Sequence, residues 1–382
     1  MNAVRVLTKM DQCLVTTGYD NTGDLTYREL NYKLDYGCID DQVKMAKQSK
    51  QKGMKVVLSI NMGTKIPTAW LNYDYKQTLK AIDQEVRRQL TPFLAADVQP
   101  DIILLENEGS AGMLYSEPTS AGQTRDRGTT QGGVTAAQTK EEKCGQTATG
   151  HYFSWPKLAG YYKQEIASAR AAISESGRND VLTRFGLHSH AQYVDTKNGV
   201  VYNTNPEAEK FISSSSCSLA GVIPDNFLNQ RADELIDIIG FSGYPTPVRP
   251  VDINSDASMA ATFNRLNTSI AVIEKIVPRY GRYTEGPYIG QWRKQAFVVE
   301  YATQFTSPAE AVAQQKHTQM FFDILKQKDW FLGAMWYEPT YAIANFQAGV
   351  GSLYRNTSSP GKTVSTPINT LKVWGAAARS PQ

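Results

Sequence analysis

The stretch from 101 to 108 constrains the fold more than any other part of this 382-residue chain. Four branched aliphatic residues, 102–105, follow a turn signal and lead directly into Glu106, Asn107 and Glu108. A short, continuous apolar run bounded by turn residues is typical of a strand that is buried on both faces, as in parallel sheets. The acids therefore lie at the carboxyl end of such a strand, where α/β proteins place their chemistry.

Strand-like runs and amphipathic helices alternate along the rest of the chain. The strand-like runs are at 4–8, 54–60, 101–107, 181–188, 235–242, 296–300 and 331–337. Helices are predicted at 39–51, 75–95, 155–176, 206–213, 257–277, 308–327 and 365–377. Regular alternation predicts a parallel sheet with right-handed crossovers, and so an α/β fold of the (β/α)8 TIM-barrel type.

One strand of that barrel is missing from the pattern, because the chain enters its first strand at residue 4 and a closed barrel needs eight. We therefore expect an N-terminally shortened form of a secreted parent whose lost part held a signal peptide and strand one. Strands 4–8 and 331–337 should then lie on the two sides of a gap, poorly paired, and the protein should express poorly or aggregate.

The whole chain, 1–382, is predicted to be a single catalytic barrel with one long insertion. Residues 109–150 are rich in Gly, Thr, Gln and Ser and follow the acidic strand end. A structureless connection of this length is unusual in a compact domain and is usually functional. We expect it to hang over the end of the strand that bears the acids.

Composition excludes several classes of function. The net charge is +3 and no stripe of Lys and Arg is visible, which argues against a nucleic-acid partner. The longest apolar runs are strand-sized, which argues against a membrane span. The cysteines are Cys13, Cys38, Cys144 and Cys217. Two disulfides in a secreted enzyme and four isolated thiols in a cytosolic one are both compatible with that spacing.

Polar and aromatic residues collect after the predicted strand ends. They are Asn61, Glu106, Asn107, Glu108, His188, Tyr244, Glu300, Trp336, Tyr337 and Glu338. In a barrel these residues converge on one face. Two Glu on separate strands can face each other across a sugar ring, and aromatic rings can stack on its apolar surface. The simpler interpretation is that the acids are solvated, the aromatics belong to the core, and His188 is a satisfied core histidine.

Three strand-end segments resemble the clan A retaining glycosidases. They are Asn107-Glu108, Val298-Val-Glu300-Tyr-Ala, and Gly333-Ala-Met-Trp-Tyr-Glu-Pro339. Within that clan the chain is most similar to glycoside hydrolase family 53, the endo-β-1,4-galactanases. Pro100 to Glu108, Asp237 to Pro245 and Leu34 to Gly37 extend the likeness, which spans residues 4 to 340.

The resemblance implies a role for each matching residue. Glu108 would be the acid/base and Glu300 the nucleophile of a retaining endo-glycosidase. Asn107 would hold the 2-hydroxyl of the substrate, and Tyr244 would orient Glu300. His188 and Trp336 would contact the polysaccharide or oligosaccharide. Apart from the resemblance, we expect Asn61 to contact the substrate as well, and Glu106 and Arg5 to support the site from behind.

The chain also departs from the family pattern. Ser59-Ile-Asn61-Met replaces an Asp-Phe-His pattern in a region that shapes substrate subsites, so a clan A glycosidase of different specificity remains open. Leu7 replaces a second strand-two Arg, and Glu106 stands where the family usually has Gly.

Two other functions compete with hydrolysis by a glutamate pair. One is a catalytically impaired barrel that binds carbohydrate, and the other is a metal-dependent hydrolase that uses His188, His190 and the glutamates. The leading hypothesis needs no cofactor and no metal, and it predicts a secreted monomer without a nucleic-acid or membrane partner.

Overall fold

A computed structural model provides the structure of this chain. It describes residues 3–30, 37–63, 67–70, 73–107, 155–189, 193–195, 200–202, 235–243, 263–301, 308–336, 354–359 and 362–367. The predicted helix at 206–213 and the predicted insertion at 109–150 lie outside these ranges.

The strands, in chain order, are β1 (Ala3–Lys9), β2 (Leu14–Tyr19), β3 (Leu25–Glu29), β4 (Lys55–Asn61), β5 (Ile102–Leu105), β6 (Arg184–Ser189), β7 (Tyr193–Asp195), β8 (Val200–Tyr202), β9 (Ile238–Ser242), β10 (Gln295–Tyr301), β11 (Phe331–Trp336), β12 (Tyr354–Ser359) and β13 (Lys362–Pro367). The helices are α1 (Ile39–Gln51), α2 (Tyr75–Ala95), α3 (Trp155–Glu175), α4 (Asn264–Tyr280) and α5 (Pro308–Leu325). Short 3-10 turns occupy Thr68–Trp70 and Asp180–Leu182.

The predicted parallel sheet is confirmed. Its seven strands are hydrogen-bonded in the order β1-β4-β5-β6-β9-β10-β11, and every pairing is parallel. The sheet curls into part of a barrel, which gives the predicted α/β fold of TIM-barrel type. In the described part of the chain, β1 and β11 are the two end strands and are not hydrogen-bonded neighbours. The sequence predicts this lack of pairing between the strands at 4–8 and 331–337.

The two faces of the sheet bury different residues. The concave face holds a small apolar cluster drawn from strands alone, which includes Val57, Ile102, Leu104, Phe297 and Val299. The outer face packs against the helices in two larger clusters. Because both faces are covered, the central strands are apolar at nearly every position, as in the fully buried run 102–105.

The region between β1 and α1 contains secondary structure, although no strand or helix was predicted between residues 8 and 39. It contains an antiparallel hairpin, β2–β3, whose turn is organised by the Asp20 side chain, which accepts from the amides of Thr22 and Asp24. The hairpin packs on α2, where the Tyr19 hydroxyl donates to the Gln77 carbonyl at 2.9 Å. Short strands that alternate small polar and apolar residues are easily mistaken for a loop.

A disulfide joins Cys13 and Cys38, and so ties the start of the hairpin to the start of α1. This is one of the two bonds that the cysteine count allowed, while Cys144 and Cys217 lie outside the described residues.

The predicted helix at 365–377 is wrong in its first part, because residues 365–367 belong to β13 and pair with β12. No helix within the described ranges is long and apolar enough to cross a membrane.

His317 on α5 gives the fold a testable acid sensitivity. Its side chain is fully buried, and neither ring nitrogen has a hydrogen-bond partner among the described residues. Burial lowers the pKa of His317 from 6.5 to about 4. The unfolded chain therefore binds a proton at a higher pH than the folded chain, and stability is lost as pH falls from about 6.5 to 4.

His317→Leu should remove this loss, because leucine cannot be protonated. We expect the difference in unfolding free energy between pH 7 and pH 4.5 to shrink by about 1–3 kcal/mol, at about 1.4 kcal/mol per pKa unit. Denaturant unfolding at the two pH values measures it. An equal acid loss in wild type and His317→Leu would contradict the prediction.

Candidate active site

The carboxyl ends of the parallel strands converge on the guanidinium of Arg5. Arg5 lies on β1 and faces the concave side, two residues after Ala3, which packs on the apolar cluster there. Its Nη1 donates to Glu300 Oε1 at 2.6 Å and its Nη2 to Asn107 Oδ1 at 2.6 Å. Its Nε donates to Ser59 Oγ at 2.8 Å. One side chain thus fixes residues from three other parts of the sheet.

The ion pair between Arg5 and Glu300 is largely shielded from solvent, since the two side chains are 13% and 10% exposed. A shielded, short pair is far less screened than a surface pair. The guanidinium also holds several partners in fixed directions at once, because its donors form a rigid planar fork. Arg5 therefore orients Glu300, and the family resemblance implies the same role for Tyr244. Tyr244 lies outside the described residues.

Glu300 reaches the concave side through a bulge in β10. Phe297 and Val299 already face inward, so strict alternation would send Glu300 outward. Between Val298 and Glu300 the strand gains one residue relative to β9, where Phe241 and Ser242 are consecutive partners. The extra residue turns Glu300 inward beside Val299, in the way that bulges re-aim side chains next to active sites.

Asn107 reaches the same point through an unusual backbone conformation at Glu106. Ile102 and Leu104 face inward, so alternation predicts Glu106 inside and Asn107 outside. Glu106 instead has φ 63°, a left-handed conformation that ordinarily favours glycine. This reverses the two directions, so Asn107 meets Arg5 while Glu106 turns away from the concave side. The left-handed position also accounts for the glycine that the family pattern would place there.

His188 stands beside this group at the end of β6 and is almost fully buried. Its Nδ1 lies 3.4 Å from Arg5 Nη2, and its Nε2 lies 3.0 Å from Ser242 Oγ. Because a guanidinium can only donate, Nδ1 accepts and Nε2 carries the proton. Both ring nitrogens thus have protein partners. Among the described residues, no group of three or more His, Cys, Asp or Glu side chains is placed to hold a metal ion.

The other predicted site residues are placed as follows. Asn61 ends β4, where its Oδ1 accepts from the Gly63 amide at 2.6 Å. Trp336 ends β11, at the same edge of the sheet as Glu300 on β10. Glu108 directly follows Asn107 in sequence and lies outside the described residues.

The sequence did not reveal the roles of two serine hydroxyl groups, and it placed Arg5 too far from the catalytic residues. Ser59 was noted only as a departure from the family pattern, and Ser242 was not singled out, yet they hold Arg5 and His188. Arg5 was expected behind the site but contacts Glu300 and Asn107 directly. The signal was available, because an Arg inside an apolar strand must meet a buried acid or carbonyl.

Replacing Arg5 tests whether its contacts with Glu300, Asn107 and Ser59 matter for catalysis. Arg5→Lys keeps the charge but cannot bridge Glu300, Asn107 and Ser59 at once. We expect kcat/KM to fall by about 10²-fold, the scale of a catalytic group displaced by an ångström. Arg5→Met should also destabilise the fold by about 3 kcal/mol, because it removes the cation that lies against a shielded carboxylate. The exposed Arg28→Lys is the matched control, and full activity in Arg5→Lys would contradict the role.

Comparison with known proteins identifies similar folds but no family to which the chain can be assigned. No family model matches the chain, and no curated protein matches it. Among solved structures, a fungal β-1,4-galactanase is 15% identical over 98% of this chain and 87% of its own, with a TM-score of 0.53. The GH53 catalytic domain of Ignisphaera aggregans is 15% identical over 92% of this chain and 78% of its own, with a TM-score of 0.50. Both are glycoside hydrolases, and at this identity the likeness concerns the fold.

Proposed function

We propose that this protein is a retaining endo-glycosidase that hydrolyses a β-linked polysaccharide, galactan-like in its backbone, through a covalent glycosyl-enzyme intermediate. Glu300 is the nucleophile and Glu108 the general acid and base. The observation that carries the proposal is the contact of Arg5 with both Glu300 and Asn107, at the carboxyl ends of the strands. It supports a fixed carboxylate on one strand and an oriented Asn107, the residue before Glu108, on another.

The proposed mechanism assigns a physical task to each group. Glu300 attacks the anomeric carbon with its carboxylate, which Arg5 holds in place through the contact between its Nη1 and Glu300 Oε1. Glu108 protonates the leaving oxygen and then activates water for the second step. Asn107 is held by Arg5 through its Oδ1, so its amide N–H groups are left to donate to a sugar hydroxyl. Trp336 and Tyr244 offer stacking surfaces for the sugar rings.

The test is hydrolysis of a panel of β-galactan, β-glucan, mannan and xylan, measured as released reducing ends. Release from galactan above the other polymers supports the full proposal, and release from another β-linked polymer supports a glycosidase of different specificity. Binding without release would overturn hydrolysis in favour of an impaired carbohydrate-binding barrel.

Stereochemistry tests the retaining assignment separately. A retaining pair has its carboxyl groups about 5–5.5 Å apart, whereas an inverting pair is about 6.5–9.5 Å apart. Proton NMR of the first product should therefore show the β-anomer before mutarotation. Initial release of the α-anomer would rule out a glycosyl-enzyme intermediate on Glu300.

We also propose that the protein works outside the cytosol. The Cys13–Cys38 bond supports this, because disulfides persist in oxidising compartments and are rare in the cytosol.

A further inference from the structure

Ser242, at the end of β9, lies between the strands that carry His188 and Glu300. Its side chain is 1% exposed, and it follows Ile238 and Gly240 on the concave side, because alternate residues of a strand face the same way. Its Oγ is 3.0 Å from His188 Nε2, and in register it is the partner of Glu300 on β10. A single buried serine is thus a neighbour of both the histidine and the proposed nucleophile.

Two features of the backbone fix the place of this serine. Gly243, the next residue, donates its amide N–H to the carbonyl oxygen of Glu300 at 2.7 Å, which joins the end of β9 to the bulge of β10. Gly240, the register partner of His188, has no side chain, and a Cβ there would come within 2.4 Å of a carbonyl oxygen of β6. The next side chain that β9 can offer to His188 is therefore that of Ser242.

His188 links the position of Ser242 to that of Arg5. The Nδ1 atom of the imidazole is 3.4 Å from Arg5 Nη2. A guanidinium only donates, so Nδ1 presents its lone pair to Arg5, and Nε2 donates its proton to Ser242 Oγ. The same Nη2 donates to Asn107 at 2.6 Å, while Nη1 of the rigid, planar fork donates to Glu300. The orientation of the imidazole therefore bears on both of these site residues.

We propose that Ser242 is a positioning residue for the hydrolysis, and that it acts through His188. Its hydroxyl group accepts the Nε2 proton and holds the imidazole with its unprotonated Nδ1 toward Arg5. Arg5, held at Nη2 by two acceptors, keeps Glu300 and Asn107 in the directions that the reaction requires. The inference rests on the proposed function and deepens it, because it assigns a role to a residue that takes no part in the bond-breaking steps.

Removal of the hydroxyl group tests the positioning role. In Ser242→Ala, kcat on the best polysaccharide of the panel should fall about 10-fold, and KM should change less than about twofold, because misplaced reacting groups slow the reaction more than they weaken substrate binding. Ser168→Ala is the matched control, since Ser168 is also 1% exposed and accepts a hydrogen bond from a side-chain N–H, that of Gln164 at 2.9 Å. A wild-type kcat in Ser242→Ala, or an equal loss in the control, overturns the proposal.

A double substitution shows whether Ser242 acts through His188. His188→Ala removes the imidazole, so the addition of Ser242→Ala should lower kcat by less than about twofold more, because the contact that it breaks no longer exists. A merely structural serine would cost the same factor in both backgrounds. A further loss of about 10-fold in the His188→Ala background therefore overturns the proposal.

NMR of the histidine ring tests the contact without any need for turnover. The chain has 4 histidines, and His188→Ala identifies the signal of His188 in protein that carries isotope-labelled histidine. We expect the wild-type proton on Nε2, and its exchange with solvent should be about 10-fold faster in Ser242→Ala but unchanged in Ser168→Ala. A wild-type proton on Nδ1, or an unchanged exchange rate in Ser242→Ala, overturns the proposal. A wild-type protein that hydrolyses nothing overturns the proposed function together with the positioning role, whereas NMR still decides whether Ser242 holds His188.

Discussion

The Glu300→Gln protein should fold as the wild type does and lose nearly all turnover. The amide has the shape of the carboxylate, and its oxygen can still accept from Arg5 Nη1, so the end of β10 keeps its place. An amide, however, cannot attack the anomeric carbon or leave from it. We expect kcat to fall by roughly 10⁴-fold or more, as when the nucleophile of a covalent mechanism is removed.

The control for this variant is Glu274→Gln, which removes an acid from the outer surface of α4, where it pairs with Lys328. Its turnover should equal that of the wild type. Melting curves of both variants show whether the fold is intact. Residual activity in Glu300→Gln above about one per cent would show that the nucleophile is another residue, since a lost covalent step cannot be replaced that well.

The second large effect is expected in Glu108→Gln, whose loss of rate should depend on the leaving group of the substrate. On the polysaccharide, whose leaving alcohol must be protonated, kcat/KM should fall by about 10²–10⁴-fold, the range of general acid catalysis. On an aryl glycoside with a strongly acidic phenol, formation of the glycosyl-enzyme should proceed at a rate near that of the wild type, because that leaving group needs no proton.

Burst kinetics on the aryl glycoside separate the two steps. Glu108→Gln should release phenol in a fast burst and then turn over slowly, because the same residue must activate water for the second step. Glu300→Gln should show no burst at all. Equal losses of Glu108→Gln on both substrate types would contradict its role as the acid.

Local patterns were enough to predict the seven strands of the sheet and the helices that cover it. Each central strand is an unbroken apolar run, and each helix carries its apolar residues on one stripe, so the two periodicities are visible without tertiary information. The hairpin β2–β3 was missed because its strands are short and half-buried, and because its stability comes from contacts with α2. The start of the predicted helix at 365–377 was wrong for a similar reason, since pairing with β12 decides the conformation of residues 365–367.

The candidate site was less predictable than the fold. The acids and the asparagine could be identified at strand ends, but the directions of their side chains could not. Alternation alone would have sent Glu300 and Asn107 to the outer face. The bulge before Glu300 and the left-handed backbone at Glu106 reverse that result, and neither has a local sequence signal. Both are set by the surrounding structure rather than by the propensity of one residue.

The contact between Arg5 and Glu300 joins positions that are 295 residues apart along the chain. Closing so long a loop costs conformational entropy, and contacts of this kind form late, after the shorter-range pairings have made the ends meet. The site that would bind substrate is therefore assembled only when both β1 and β10 have taken their places in the sheet. A partly folded chain, however much helix it contains, has no such site, so appearance of activity during refolding should lag behind recovery of the helical circular-dichroism signal.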